Sequence, residues 1–391
     1  MSVLEVPPGS LYGKENLPYG VYRRPPGGEP RIGVRVHEAV LDLALALDDA
    51  SFAVPTLNPF LAASPQRWAE VRVALQSLFG GPVDDRALVP LCEVELLLPF
   101  AVGDYVDFYC SEQHARAVGQ MFRPGQPPLM PNWHHLPVGY HGRSGTVVVS
   151  GTEVVRPMGQ RRGADDDHPD FGPTQRLDIE CEVGFVVGPG SVLGSRIGTE
   201  EFNEHVFGLV LVNDWSARDI QSWEYVPLGP HLGKSFATTI GPWVVPMAAL
   251  EAARVPTPTQ GDKLPYLAMD EPWGLDLELE VAWNGQQVSR PPYRAIHWSP
   301  AQMLAHLTVN GAATRTGDLF ASGTVSGDEP GTQGAFIELT RNGEQPIRVN
   351  GEDRSFLEDG DEVAITGSAV CAGGGRLGLG ECRGRIAPAR P

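Results

Sequence analysis

Lysine is nearly missing from this 391-residue chain: only Lys14, Lys234 and Lys263 occur among its 30 basic residues, the rest being arginine. Cysteine is scarce too. The five (Cys92, Cys110, Cys181, Cys371, Cys382) are odd in number and form no CxxC pair, which disfavours a disulfide framework or a zinc site. No run of about 18 uncharged apolar residues occurs, so no membrane span is expected. The opening MSVLEVPPGS carries no basic or apolar signal segment, which leads us to expect a cytoplasmic protein. Low-complexity blocks and 20–50-residue repeats are absent. Positive charge is in deficit as well: the formal net charge is −18. That argues against nucleic-acid and acidic-membrane partners, which need a basic surface, but leaves room for a small anion held by a few local arginines. GxSxG and HExxH are missing. GGGRLG (373–378) satisfies GxGxxG so near the C-terminus that no βαβ unit can follow it.

Glycine (46) and proline (36) are plentiful and spread throughout, and 42% of residues are hydrophobic. This mix suits short strands joined by tight turns and is ample for a core in about two domains. Residues 1–98 read as a small α+β unit. RIGVRV (31–36) and VLDLAL (40–45) are strand candidates, and 64–80 is a helix begun at Ser64-Pro65, with Trp68, Val71, Leu75, Leu78 and Phe79 on one face. Residues 99–391 read as a larger, strand-rich unit. Strands are predicted at 146–151, 177–187, 207–215, 242–246, 275–285, 335–343, 362–367 and 375–386. Helices are predicted at 199–207 and 299–311, N-capped by Thr199 and Ser299. Strands without regular helix alternation point to an α+β, mostly β fold and against a doubly wound sheet.

Two of these strands carry acidic stripes. In LDIECEV (177–183) Asp178, Glu180 and Glu182 alternate with Leu177, Ile179, Cys181 and Val183, which puts three carboxylates on one face about 6.5–7 Å apart. LDLELEVAW (275–283) repeats the pattern with Asp276, Glu278 and Glu280. A strand with one wet face explains either stripe; a cation held between carboxylates is the alternative. Neighbourhood decides. Nothing chemical surrounds the second stripe, so we read it as a solvated face.

Around the first, polar residues stand where a fold seldom wants them. DYVDFYCSEQHARAVGQMFR (104–123) sets Asp107, Tyr109, His114 and Arg123 among apolar neighbours. FGLVLVNDWSARDIQSWEY (207–225) runs from an apolar strand into Asp214, Arg218, Gln221 and Tyr225. PLGPHLGKSFATT (227–239) holds Lys234 in a glycine-bounded turn, and PNWHHLPVGYHGR (131–143) is dense in Trp, His, Tyr and Arg. Together with ENLPYGV, RIGV, MFRP, VVVSGT, RPMGQ and ASGTVSG, these stretches closely resemble the fumarylacetoacetate hydrolase family. The resemblance covers nearly the whole chain except 160–175 and about 250–273, both loop-like. Ala237 stands where that family leads us to expect glycine.

The resemblance implies a small N-terminal SH3-like domain before a β-roll-type catalytic domain, and a homodimer. It implies a Ca²⁺ or Mg²⁺ ion held by Asp107, Glu180, Glu182 and Asp214, with Asp178 a neighbour and not a ligand. All-oxygen coordination of this kind suits hard cations. Lys234 and Thr238 would border a second, smaller cation site taking Mg²⁺. The implied reaction is hydrolytic carbon–carbon cleavage of the small anionic diketo acid 4-fumarylacetoacetate to fumarate and acetoacetate, the last step of tyrosine and phenylalanine catabolism. His114 would be the general base, a task suited to a side chain that ordinarily titrates near neutrality, and Glu338 would orient it. Arg218, Gln221 and Lys234 would donate to the oxyanion, while Tyr109, Arg123, Tyr140, Gln221, Tyr225 and Thr324 would grip the substrate. Two rivals are another acylpyruvate chemistry on the same platform and a silent, cation-stabilised binding protein.

Overall fold

The structure is a computed structural model that describes residues 2–163 and 167–390. The fold is α+β and mostly β, as the strand-rich pattern predicts. In the N-terminal unit, Leu88–Pro90, Ala39–Asp42, Arg31–Val36, Tyr19–Arg23 and Glu95–Leu97 form, in that order, an antiparallel five-stranded sheet. Its helix Pro65–Ser77 starts where expected, with the Ser64 hydroxyl accepting from the Arg67 N–H. The strand predicted at 40–45 stops at Asp42, because that carboxylate accepts the Leu45 N–H and caps a short helix, Leu43–Ala46.

Two large sheets follow. The larger has eight strands; its main path runs Val147–Val149, Thr238–Ile240, Val206–Asp214, Cys181–Val187, Leu319–Ala321, Tyr105–Phe108 and Gly139–His141, and Val245–Pro246 joins at its side. The other runs Glu153–Val155, Arg376–Ala387, Glu362–Val370, Leu277–Trp283 and Gln286–Ser289. Strand alternation sorts the core. Val183, Phe185, Leu209 and Leu211 pack in one cluster with Leu277, Leu279, Ile365 and Leu379 of the five-stranded sheet. Val186, Val210, Val212, Ile240 and Leu319 face the other way and pack with Tyr19, Val21, Ile32, Val34 and Leu75 of the N-terminal unit. The eight-stranded sheet is therefore buried on both faces, which explains the unbroken apolar run at 206–212.

Several expectations for individual segments differ from the structure. The run 177–187 is broken: Leu177–Asp178 pairs with Ser216–Ala217, and the main strand starts at Cys181. Side chains intercept the backbone in the gap, the Ile179 N–H donating to Asp178 and the Glu180 N–H to the Asn213 amide oxygen. Residues 335–343 are not a strand but the helix Phe336–Leu339 followed by turns with positive φ at Arg341, Asn342 and Gly343. In 160–175, taken as loop-like, the strands Met158–Arg161 and Asp170–Pro173 pair as a hairpin; 164–166 lie outside the described residues. Ser299 caps Pro300–Thr308 as expected, whereas Gly198 rather than Thr199 precedes the turn Thr199–Glu201. All five cysteines are free thiols. No helix among the described residues is long and apolar enough to cross a membrane.

Candidate metal and catalytic site

Sheet register brings the carboxylates together. Asp214 pairs with Thr238, Cys181 with Asn213, and Asp107 with both Ala321 and Tyr140. By alternation, Asp107, Glu182 and Asp214 stand on the sheet face that also carries Val186, Val210 and Val212, one step beyond the part covered by the N-terminal unit. Glu180 arrives from the irregular link before the strand. Asp107, Glu180, Glu182 and Asp214 each offer an oxygen within 4.8 Å of the others, and all four are buried. The wet-face explanation of this stripe fails, for Asp178 and Glu182 are wholly inaccessible. The comparison strand behaves oppositely: Glu278 is exposed and pairs with Arg376, and Glu280 lies half-exposed near Arg290.

Two cations thread the cluster. Lys234 Nζ donates to Glu180 Oε2 at 2.5 Å and Asp214 Oδ2 at 2.8 Å. Arg218 donates through Nε to Asp178 and through Nη1 to Glu180, each at 2.8 Å, and through Nη1 to the Gln221 amide oxygen at 3.1 Å. Burial alone would push Glu180 up, but Lys234 and Arg218 hold it well below the usual carboxylate range. Asp107 and Glu182 lack such partners. Burial, then the neighbouring carboxylate Asp214, drives Asp107 far up; burial, then Asp107, does the same to Glu182. Both Glu182 oxygens and Asp107 Oδ1 are buried with no hydrogen-bond partner. Buried acceptors without donors are costly, and a hard divalent cation would satisfy them. The four carboxylates thus fit such an ion.

The proposed base lies beside this cluster. His114 belongs to the helix Glu112–Phe122, capped by Ser111, and its Nδ1 is 2.7 Å from Glu338 Oε2. The Ser326 hydroxyl donates to that same oxygen at 2.9 Å. With Nδ1–H directed at a carboxylate, Nε2 is the basic nitrogen, and it sits 3.9 Å from Glu180 Oε1. The sequence pointed to His114 and Glu338; it gave no signal for Ser326, which is one of many serines until the fold brings it there.

The other expected residues are placed as follows. The Tyr140 hydroxyl donates to Asp214 Oδ2 at 2.7 Å and the Thr238 hydroxyl to Asp214 Oδ1 at 2.9 Å, so both support a carboxylate of the cluster. Tyr109 lies edge-on to His114, ring centroids 5.4 Å apart. Arg123 ends the His114 helix and donates to the Pro128 carbonyl, leaving Nε buried and unpaired. Tyr225 leans on Phe122, and the Thr324 hydroxyl is buried without a partner. A cavity of about 410 Å³ reaches Asp214, Lys234, Thr238 and Tyr140 and adds Arg143, His141 and His231, none of which the sequence singled out as site residues.

The chain matches two family models, Fumarylacetoacetase N-terminal over residues 15–99 and Fumarylacetoacetate (FAA) hydrolase C-terminal over 105–387. It is 46% identical over 417 residues to the fumarylacetoacetase of Homo sapiens, covering 100% of this chain and 99% of the relative. It is 45% identical over 421 residues to that of Oryza sativa subsp. japonica, covering 100% and 98%. Among solved structures, a fumarylacetoacetate hydrolase from psychrophilic Exiguobacterium antarcticum superposes with TM-score 0.57 at 19% identity, over 96% of this chain and 100% of the other. At that identity the likeness speaks for the fold alone.

Proposed function

Because this chain belongs to the fumarylacetoacetate hydrolase family, we propose that it hydrolyses the carbon–carbon bond of 4-fumarylacetoacetate to give fumarate and acetoacetate, with a role in tyrosine and phenylalanine catabolism. The observation that carries this reading is the buried His114–Glu338 pair set beside a carboxylate cluster in which both Glu182 oxygens and Asp107 Oδ1 lack donors.

The reaction makes three demands: a water must lose a proton while aimed at a carbonyl carbon, the oxyanion must be stabilised, and the departing carbon must leave as an enolate. Water adds its oxygen to the carbonyl carbon, the bond to the acetoacetate carbon breaks, and that carbon's electron pair finally takes up a proton. His114 Nε2 accepts the proton from water, and Glu338 keeps Nδ1 protonated and steadies the imidazolium that forms. Arg218 Nη2 is a buried donor without a partner, and Lys234 has one N–H left after its two carboxylate bonds. Each is a donor to the oxyanion, worth about 2.7–4 kcal/mol. Arg123, Tyr109, Tyr225 and Thr324 hold the substrate's carboxylates and oxygens, with Gln221 fixed by Arg218 at their edge. Bound at Asp107, Glu180, Glu182 and Asp214, Ca²⁺ or Mg²⁺ supplies Lewis-acid stabilisation of the enolate leaving group.

The same reading places a second Mg²⁺ near Lys234 and Thr238 and makes the protein a cytoplasmic homodimer of two-part chains, 1–98 and 99–391. Turnover of fumarylacetoacetate beside simple acylpyruvates, with both products identified, tests the assignment. Cleavage of fumarylacetoacetate with the higher kcat/KM is expected. Preference for an acylpyruvate would transfer the chain to a neighbouring chemistry.

A further inference from the structure

The carboxylate of Asp178 has no part in the mechanism above. Asp178 is wholly buried, yet it is not among the four clustered carboxylates. Its oxygens are saturated by donors from three segments. Oδ1 accepts the N–H of Ile179 at 2.8 Å and of Phe336 at 2.7 Å; Oδ2 accepts Arg218 Nε at 2.8 Å and the N–H of Ile337 at 3.1 Å.

The segments matter. Phe336–Leu339 is a four-residue helix whose own N-cap, Ala335, offers no side-chain bond. A helix that short does not hold itself in water, so its placement depends on outside anchors. Asp178, 158 positions earlier in the chain, supplies the missing acceptor to its first two N–H groups. Glu338 is the third residue of that helix and holds His114. On the other side, fixing Nε of Arg218 sets the planar guanidinium so that Nη1 meets Glu180 and Gln221. We infer that Asp178 is a positioning residue that locks the general-base pair, His114 and Glu338, in register with the donor Arg218 across the cluster. It lies outside the four-carboxylate cluster and sets the position of the groups around it. An ionised carboxylate is needed, because all four partners are donors and an amide would turn an N–H₂ toward two of them.

This inference rests on the hydrolase reading. The test uses the full-length, calcium-loaded protein with Asp178→Asn and Asp178→Glu, measuring kcat, KM, bound calcium and thermal midpoint. Since a misplacement of about 1 Å costs on the order of 10²-fold, we expect kcat to fall about 10²-fold, with KM held within about threefold and calcium content unchanged. A purely structural role would lower the midpoint while leaving kcat of the folded enzyme alone. A kcat within about twofold of wild type in both variants, or activity lost only in step with calcium, would overturn the inference. So would failure of both variants to fold, which would assign Asp178 to folding. Wild-type protein inactive on fumarylacetoacetate would sink the functional reading itself, a separable outcome.

Discussion

Glu182 and Glu280 occupy like positions in two look-alike strands and meet opposite fates. Glu182 is wholly buried with both oxygens unpartnered, while Glu280 stands at the surface near Arg290. Glu182→Gln should therefore weaken calcium binding and activity together, whereas Glu280→Gln should leave both unchanged; titration calorimetry and turnover on the two variants check this. Equal effects would remove the cation assignment. Lys234 is one of three lysines in an arginine-rich chain, and it places one compact ammonium between Glu180 and Asp214. A guanidinium is a wide planar fork whose donors all lie in one plane, so it would sit differently between the two carboxylates. Lys234→Arg should keep calcium but lower kcat by about 10²-fold. Near-wild-type turnover would reduce Lys234 to charge balance. Residue identity was the most legible layer of the sequence. The cluster carboxylates and His114 stood out by type and company, and Glu338 through the family resemblance alone, while Ser326 and the bonds of Asp178 depend on distant segments and left no local mark.

At the scale of elements, legibility followed local rules and failed where side chains took over the backbone. Ser64 and Ser299 announced their helices by capping chemistry. The break at 179–180 and the helix at 336–339 were hidden because the side chains of Asp178 and Asn213, not backbone carbonyls, accept those N–H groups. Helices too short to show a period carry no pattern to read. The helix Glu112–Phe122 offers a test of how elements position the site. A Cβ at Gly119 would lie 1.9 Å from the Pro128 carbonyl oxygen, the atom that anchors Arg123. Gly119→Ala should push that loop away, cost about 1–3 kcal/mol in stability and raise KM several-fold more than it lowers kcat. Denaturant melts and steady-state kinetics would show it; an unchanged KM would detach Arg123 from substrate binding.

The whole molecule places its charge unevenly: a chain of net charge −18 holds Arg218 and Lys234 deep among carboxylates. The N-terminal unit covers one end of a sheet face and leaves the acidic end for chemistry, which no sequence pattern foretold because it depends on register between distant strands. Away from the site, His297 is buried against Trp133. Burial, then nearby Lys263, lowers its pKa to about 4. The folded state thus keeps it neutral while the unfolded chain protonates it near its ordinary 6.5. Its contribution is intact above that value and is lost as pH falls towards 4, by roughly 3 kcal/mol. His297→Gln should flatten the acid-side loss of stability in urea melts between pH 7 and 4; an equal loss in both proteins would exclude His297 as its source.

Metal content and fumarylacetoacetate turnover, measured on one preparation before and after chelation and stepwise reloading with calcium or magnesium, test the central claim most directly. The account predicts that the chelated protein is inactive, and that fumarate and acetoacetate appear in proportion to the ion bound at the four-carboxylate site. Full turnover without bound metal, or none at full occupancy, would contradict it.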